Sequence, residues 1–188
     1  LGGDSEVYKS SKLVSLENDF IQSTQWRMAH FDPSYGSTDK DIWNALLNNP
    51  ELVIASATII PSGDPFGPPD KSFKTSYLNA GDPKEMQSFD IQMRKKRSTS
   101  DSETLTVIGI IERLASGTGF GGGGATFYST RSLIPKISDE EVPLDTFYFS
   151  LKDKTDPSTY AQKLEKIFLA NGMNAESLLD KIEEERAT

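Results

Sequence analysis

The chain predicts an α+β fold, a mixed and largely antiparallel sheet with a few helices packed on it. Three observations carry that reading. Residues 37–60 run from a capped amphipathic helix into an apolar, β-branched strand. Residues 88–111 join an alternating strand, a polar tip and a second apolar run, which is the pattern of a hairpin. Residues 156–172 open on Asp-Pro and close on Asn-Gly, the start and stop signals of one helix.

Taken in order, Thr24–Phe31 alternates Trp26, Met28 and His30 on one face and predicts a half-buried strand. Asp32-Pro33-Ser34-Tyr35-Gly36 then makes a turn. Ser37 or Thr38 caps the next helix, and Asp39 and Asp41 favour its first turn because the amide end of a helix is electropositive. Ile42, Trp43, Leu46 and Leu47 share one face of it. Pro50 stops the helix, and Leu52–Ile60 predicts a central strand. Residues 61–72 hold four prolines and two glycines and read as a loop.

Phe89, Ile91 and Met93 alternate through Ser88–Arg94, and Thr104–Ile111 completes the hairpin. After a glycine-rich stretch, Ala125–Ser129 predicts a short strand and Thr130–Ile134 a single turn stopped by Pro135. Asp145–Leu151 predicts a further strand. The helix from Asp156-Pro157 has Tyr160, Leu164, Ile167 and Phe168 as its expected buried face, and Gly172 supplies its left-handed end. Asn174–Arg186 predicts a last helix with Leu178, Leu179 and Ile182 as its apolar stripe. The length suits a single domain, 1–188, which can divide into two lobes with residues 61–103 in the smaller one.

Composition narrows the function classes. A net charge of −8 opposes binding to nucleic acid, whose phosphates it repels. With no cysteine, the chain lacks disulfides, thiol catalysis and Cys-ligated zinc. No apolar run approaches the roughly 20 residues that span a bilayer. The start at Leu1-Gly2-Gly3 rather than at Met reads as that of a processed or excised piece.

Gly117–Gly124 contains six of the 14 glycines, and Gly117, Gly119 and Gly122 satisfy G-x-G-x-x-G. In a dinucleotide fold that motif must open a helix whose amides hold the pyrophosphate. Here it opens onto Ala125-Thr126-Phe127-Tyr128-Ser129, which favours a strand, and no lysine lies between Arg113 and Lys136 for a phosphate-binding loop. The stretch is read as a mobile or closely packed loop.

No other catalytic signature emerges, and no catalytic, cofactor-binding or metal-binding residue is expected. His30 is the sole histidine and reads as a satisfied structural residue. Asp32, Asp39 and Asp41 serve as turn and cap residues and miss the EF-hand pattern. Arg94-Lys95-Lys96-Arg97 reads as a solvated hairpin end rather than a contact with anionic lipid or a partner, and Glu183-Glu184-Glu185 as a solvated helix face.

Several phrases, in their order, resemble the extracytoplasmic domain of FtsX-like (MacB-type) ABC transporter permeases. They are DKDIWNALLNNPELVIAS, LTVIGIIE with a glycine-rich gap after it, ATFYSTRSLIP, and DTFYFSLKDKTDPSTYAQKLEKIFLANGMNAESL. The family has a similar D-x-W-x-A-L-x-x-x-P segment before an apolar strand, then a V-I-G strand. A closing N-G-M-x-A segment in the family precedes a membrane helix. The likeness covers about Asp39–Ile182, with little contribution from 61–103. This chain departs from the permeases in having no membrane helix of its own, so it corresponds to their outer domain alone.

The resemblance implies a MacB-like fold at the cell membrane, on its extracytoplasmic side. It implies a role without catalysis or cofactor: ATP-driven movement of membrane helices passes to a domain that grips or releases something outside. The implied partners are a cytoplasmic ABC ATPase, reached through the membrane part, and an extracellular substrate or partner protein; the resemblance also allows a homodimer in the full transporter. The expected contact loops are Pro61–Ser72 and Gly117–Gly124, with Phe66, Phe120, Gly121 and Gly122 as candidate contact residues. The alternative is a free-standing secreted or lipid-anchored domain that captures a small ligand in a concave pocket. A hydrolase using a close carboxylate pair is a further class.

Overall fold

The computed structural model describes residues 9–61, 73–76, 78, 83–94, 102–112, 124–138, 142–149, 151–152 and 154–180. By contacts the chain forms two compact units, one of residues 1–113 with 123–143 and the other of 114–122 with 144–188. Residues 61–103 fall within the first of these.

The larger unit is built on a mixed sheet of six strands, as an α+β fold requires. They are β1 (Ser11–Leu16), β2 (Met28–Phe31), β3 (Leu52–Ser56), β4 (Phe89–Arg94), β5 (Ser102–Ile111) and β6 (Ala125–Thr130). The order is β1-β6-β3-β5-β2, and β4 also pairs with β5. β1 lies parallel to β6 and β3 parallel to β5, while β3/β6, β2/β5 and β4/β5 are antiparallel. All five residues of β3 are buried, as its apolar, β-branched sequence and its place between two strands require. β4 shows the alternate burial of a strand with one solvated face, Phe89, Ile91 and Met93 pointing inward.

One sheet face carries the cluster of Val53, Ala55, Val107, Ile110 and Phe127, closed over by Ile59, Leu78, Met86 and Leu133. The opposite face receives α1 (Asn18–Ser23) and α2 (Asp39–Asn48). Ile42, Trp43 and Leu46 of α2 are buried there, as the helical spacing predicts. A register shift between Val53 and Ile54 brings Gly109 opposite Ile54. A Cβ on Gly109 would lie 3.2 Å from Ile42 Cγ2 and 3.3 Å from Met28 Sδ. The missing side chain therefore sets how closely α2 and β2 approach β5.

Several expectations need correction. Pro135 does not stop a turn; it stands in the first turn of α3 (Ile134–Ile137), where a missing amide proton costs nothing. The 3-10 turn Arg131–Leu133 leads into it. Residues 145–149, expected as a strand, are irregular and join no ladder among the described residues. Their β-propensity has no partner strand there to satisfy it. The third concerns α4 (Pro157–Phe168), the main helix of the smaller unit. Asp156 caps it and Pro157 occupies its first turn, as expected, and Gly172 at φ 72° closes the following 3-10 turn. Its apolar stripe is not buried, however: Ile167 is 64% exposed, Tyr160 and Phe168 are exposed, and Leu164 is half-buried. Among the described residues of that unit no sheet exists to cover the stripe. The last helix, expected from Asn174, begins only at residue 178: residues 174–177 are irregular, 178–180 are helical, and 181–186 lie outside the described residues.

Candidate contact surface at one end of the sheet

Strand registers decide which chain segments meet. Ser11 pairs with Ala125, Ser56 with Ile111, and Met28 with Ile111, while β3 runs antiparallel to β6. One end of the sheet therefore gathers the starts of β1, β2 and β6 and the ends of β3 and β5. The segment after Pro61 departs from this end and returns at Phe73, where Thr75 N–H donates to Ile59 O at 2.9 Å. The segment after Glu112 departs from the same end and returns at Gly124. Both segments expected to make contacts are thus rooted side by side. Phe66, Phe120, Gly121 and Gly122 themselves lie outside the described residues.

A polar cluster ties the roots together. Thr126 N–H donates to Ser56 Oγ at 3.2 Å, Ser56 Oγ lies 2.5 Å from Thr58 Oγ1, and Thr58 Oγ1 donates to Gly124 O at 3.0 Å. Lys74 Nζ donates to the carbonyl of Thr58. Below the cluster, the ring of Phe73 meets that of Phe127 edge-on, with centroids 5.7 Å apart. Sequence reading missed this cluster. Its one local trace is that Ser56 and Thr58 interrupt an otherwise apolar run from Leu52 to Ile60.

The other residues weighed for chemistry act structurally. His30 is buried, and its Nδ1 lies 2.8 Å from Pro83 O, so it donates to that carbonyl. Asp32 is buried at the end of β2. Its carboxylate accepts from Ser34 N–H at 2.9 Å and Ser88 N–H at 2.8 Å. Burial pushes its pKa up, but the bonds from Ser34 and Ser88 outweigh that and hold it down at about 2. Phe31 exchanges backbone bonds with the same segment, Phe31 N–H to Lys84 O and Met86 N–H to Phe31 O, each 2.9 Å. His30, Phe31 and Asp32 therefore clasp residues 83–88 against β2. Asp39 pairs with Lys84 at 2.9 Å, and Asp41 caps α2. Among the described residues no cluster of three or more His, Asp or Glu side chains could hold a metal ion, and no helix is long and apolar enough to cross a membrane.

No protein-family model, curated protein or solved structure matches the chain.

Proposed function

We propose that the chain is the extracytoplasmic domain of an FtsX-like (MacB-type) ABC transporter permease, without catalytic activity of its own. It passes ATP-driven motion of the membrane helices to a substrate or partner outside the cell membrane. The observation that carries this reading is the order of the sequence phrases from DKDIWNALLNNPELVIAS to NGMNAESL. The fold is compatible with the mechanics it asks for. The first of these phrases makes α2 and β3, a helix packed on a wholly buried central strand, which suits a rigid body that moves as one. β1, the first strand among the described residues, pairs along its full length with β6, and its start at Ser11 lies beside Ala125. Motion delivered through the N-terminal side of the chain thus arrives next to Gly124 and the roots of both candidate contact segments.

Copurification tests the reading. The full-length native protein, extracted from its own membranes in mild detergent, is expected to bring down an ABC ATPase subunit in stoichiometric amount. A full-length protein that washes free of membranes and carries no ATPase would overturn it.

A further inference from the structure

We propose that Thr58 is a coupling node, through which the root of the 61–73 segment and the root of the glycine-rich segment loosen or tighten together. Proton counting gives the bonds their direction. Thr58 has one hydroxyl proton and uses it on Gly124 O, at 3.0 Å. The 2.5 Å contact between Ser56 Oγ and Thr58 Oγ1 therefore uses the proton of Ser56. Ser56 Oγ in turn accepts from Thr126 N–H at 3.2 Å. The result is a directed chain that leaves β6 at Thr126, passes through Ser56 and Thr58, and returns two residues earlier at Gly124. Each member polarises the next, so the chain gains or loses strength as a unit.

The second half of the node is the backbone of Thr58. Its carbonyl accepts from Lys74 Nζ, and the neighbouring Ile59 O accepts from Thr75 N–H at 2.9 Å. One residue therefore anchors the return of the first segment through its carbonyl and the return of the second through its hydroxyl. These contacts bridge 16 and 66 residues of sequence, and Thr58 sits in a 3-10 turn, Ala57–Ile59, rather than in a strand ladder that would hold it independently. A shift at either root moves Thr58 and alters the bond to the other. A ligand or partner held by one segment thereby biases the root of the other.

This deepens the transmission reading, because β1 starts beside the node, but it is a property of the chain alone and is measured without membranes. The experiment is amide hydrogen exchange of Thr75 and Thr126, read against core amides of β5 as the internal reference. Thr58→Val removes the hydroxyl, and it is expected to speed exchange at both amides by about fivefold relative to β5, the loss of roughly one hydrogen bond. Thr58→Ser keeps the hydroxyl and is expected to leave both near the parent rate. Cross effects are decisive: Lys74→Met should speed Thr126, and Ser56→Ala should speed Thr75, each at least twofold. Variants that affect only their own side would overturn the proposal. Lys74→Met and Ser56→Ala keep the test open even if Thr58→Val fails to fold. Failure here would leave the permease reading standing, since that is decided by copurification.

Discussion

Asp32 illustrates how one buried carboxylate can serve structure rather than catalysis. Both its oxygens accept backbone N–H groups, one from Ser34 in the turn that follows β2 and one from Ser88, 56 residues away. The sign of its pH dependence follows. With the folded pKa depressed to about 2 from 3.8, the clasp contributes stability above about pH 4 and loses it as pH falls toward 2. The contribution is about 2 kcal/mol at most. Urea denaturation at pH 6, 4, 3 and 2 checks this: the stability gap between the parent and Asp32→Asn should be largest at pH 6 and shrink steadily below pH 4. A gap independent of pH would show that the charge of Asp32 contributes nothing. The residue type was legible in the sequence as a turn former. Its second partner was not, because nothing local marks Ser88.

At the scale of elements, what could be read depended on whether the deciding interactions were local. α2 is the clearest case. Thr38 Oγ1 accepts from Asp41 N–H at 3.2 Å, and Asp41 Oδ2 accepts from Thr38 N–H at 2.9 Å, a capping box spelled within four residues. Gly36 makes room for it: at φ 148° a Cβ would fall 2.1 Å from Asp41 Cβ. Gly36→Ala is therefore expected to destabilise the fold by about 3 kcal/mol, seen as a lower denaturation midpoint with an unchanged slope. By contrast β1 and α1 escaped sequence reading. β1 is an edge strand with mostly exposed or half-buried residues, and α1 is six residues long without a side-chain cap. Residues 145–149 show the opposite error, strong β-propensity with no ladder among the described residues. The register shift at Val53 and Ile54 and the hydrogen-bonded cluster at Thr58 depend on pairings across the sheet, which no local pattern announces.

For the whole molecule, the sheet topology joins features that are far apart in sequence. The start of β1, the exit of β5 and the roots of both expected contact segments share one end of the larger unit. The β4–β5 hairpin belongs to the opposite direction, since β5 extends from Thr106 back to Ser102 beyond the start of β3 at Leu52. On the proposed reading, motion received through β1 passes to neighbouring segments rather than across the sheet, and the proposed coupling at Thr58 lies on that route. The sole histidine bonds to Pro83, and Asp32, Asp41 and Asp39 act as a clasp, a cap and a surface pair.

The measurement that tests the central claim most directly is the sequence of the native gene on both sides of the codons for Leu1 and Thr188. The permease reading predicts an apolar segment of about 20 residues on each side, long enough to cross the bilayer. A stop codon soon after Thr188, with only a secretion signal upstream of Leu1, would contradict it and leave a free-standing domain in its place.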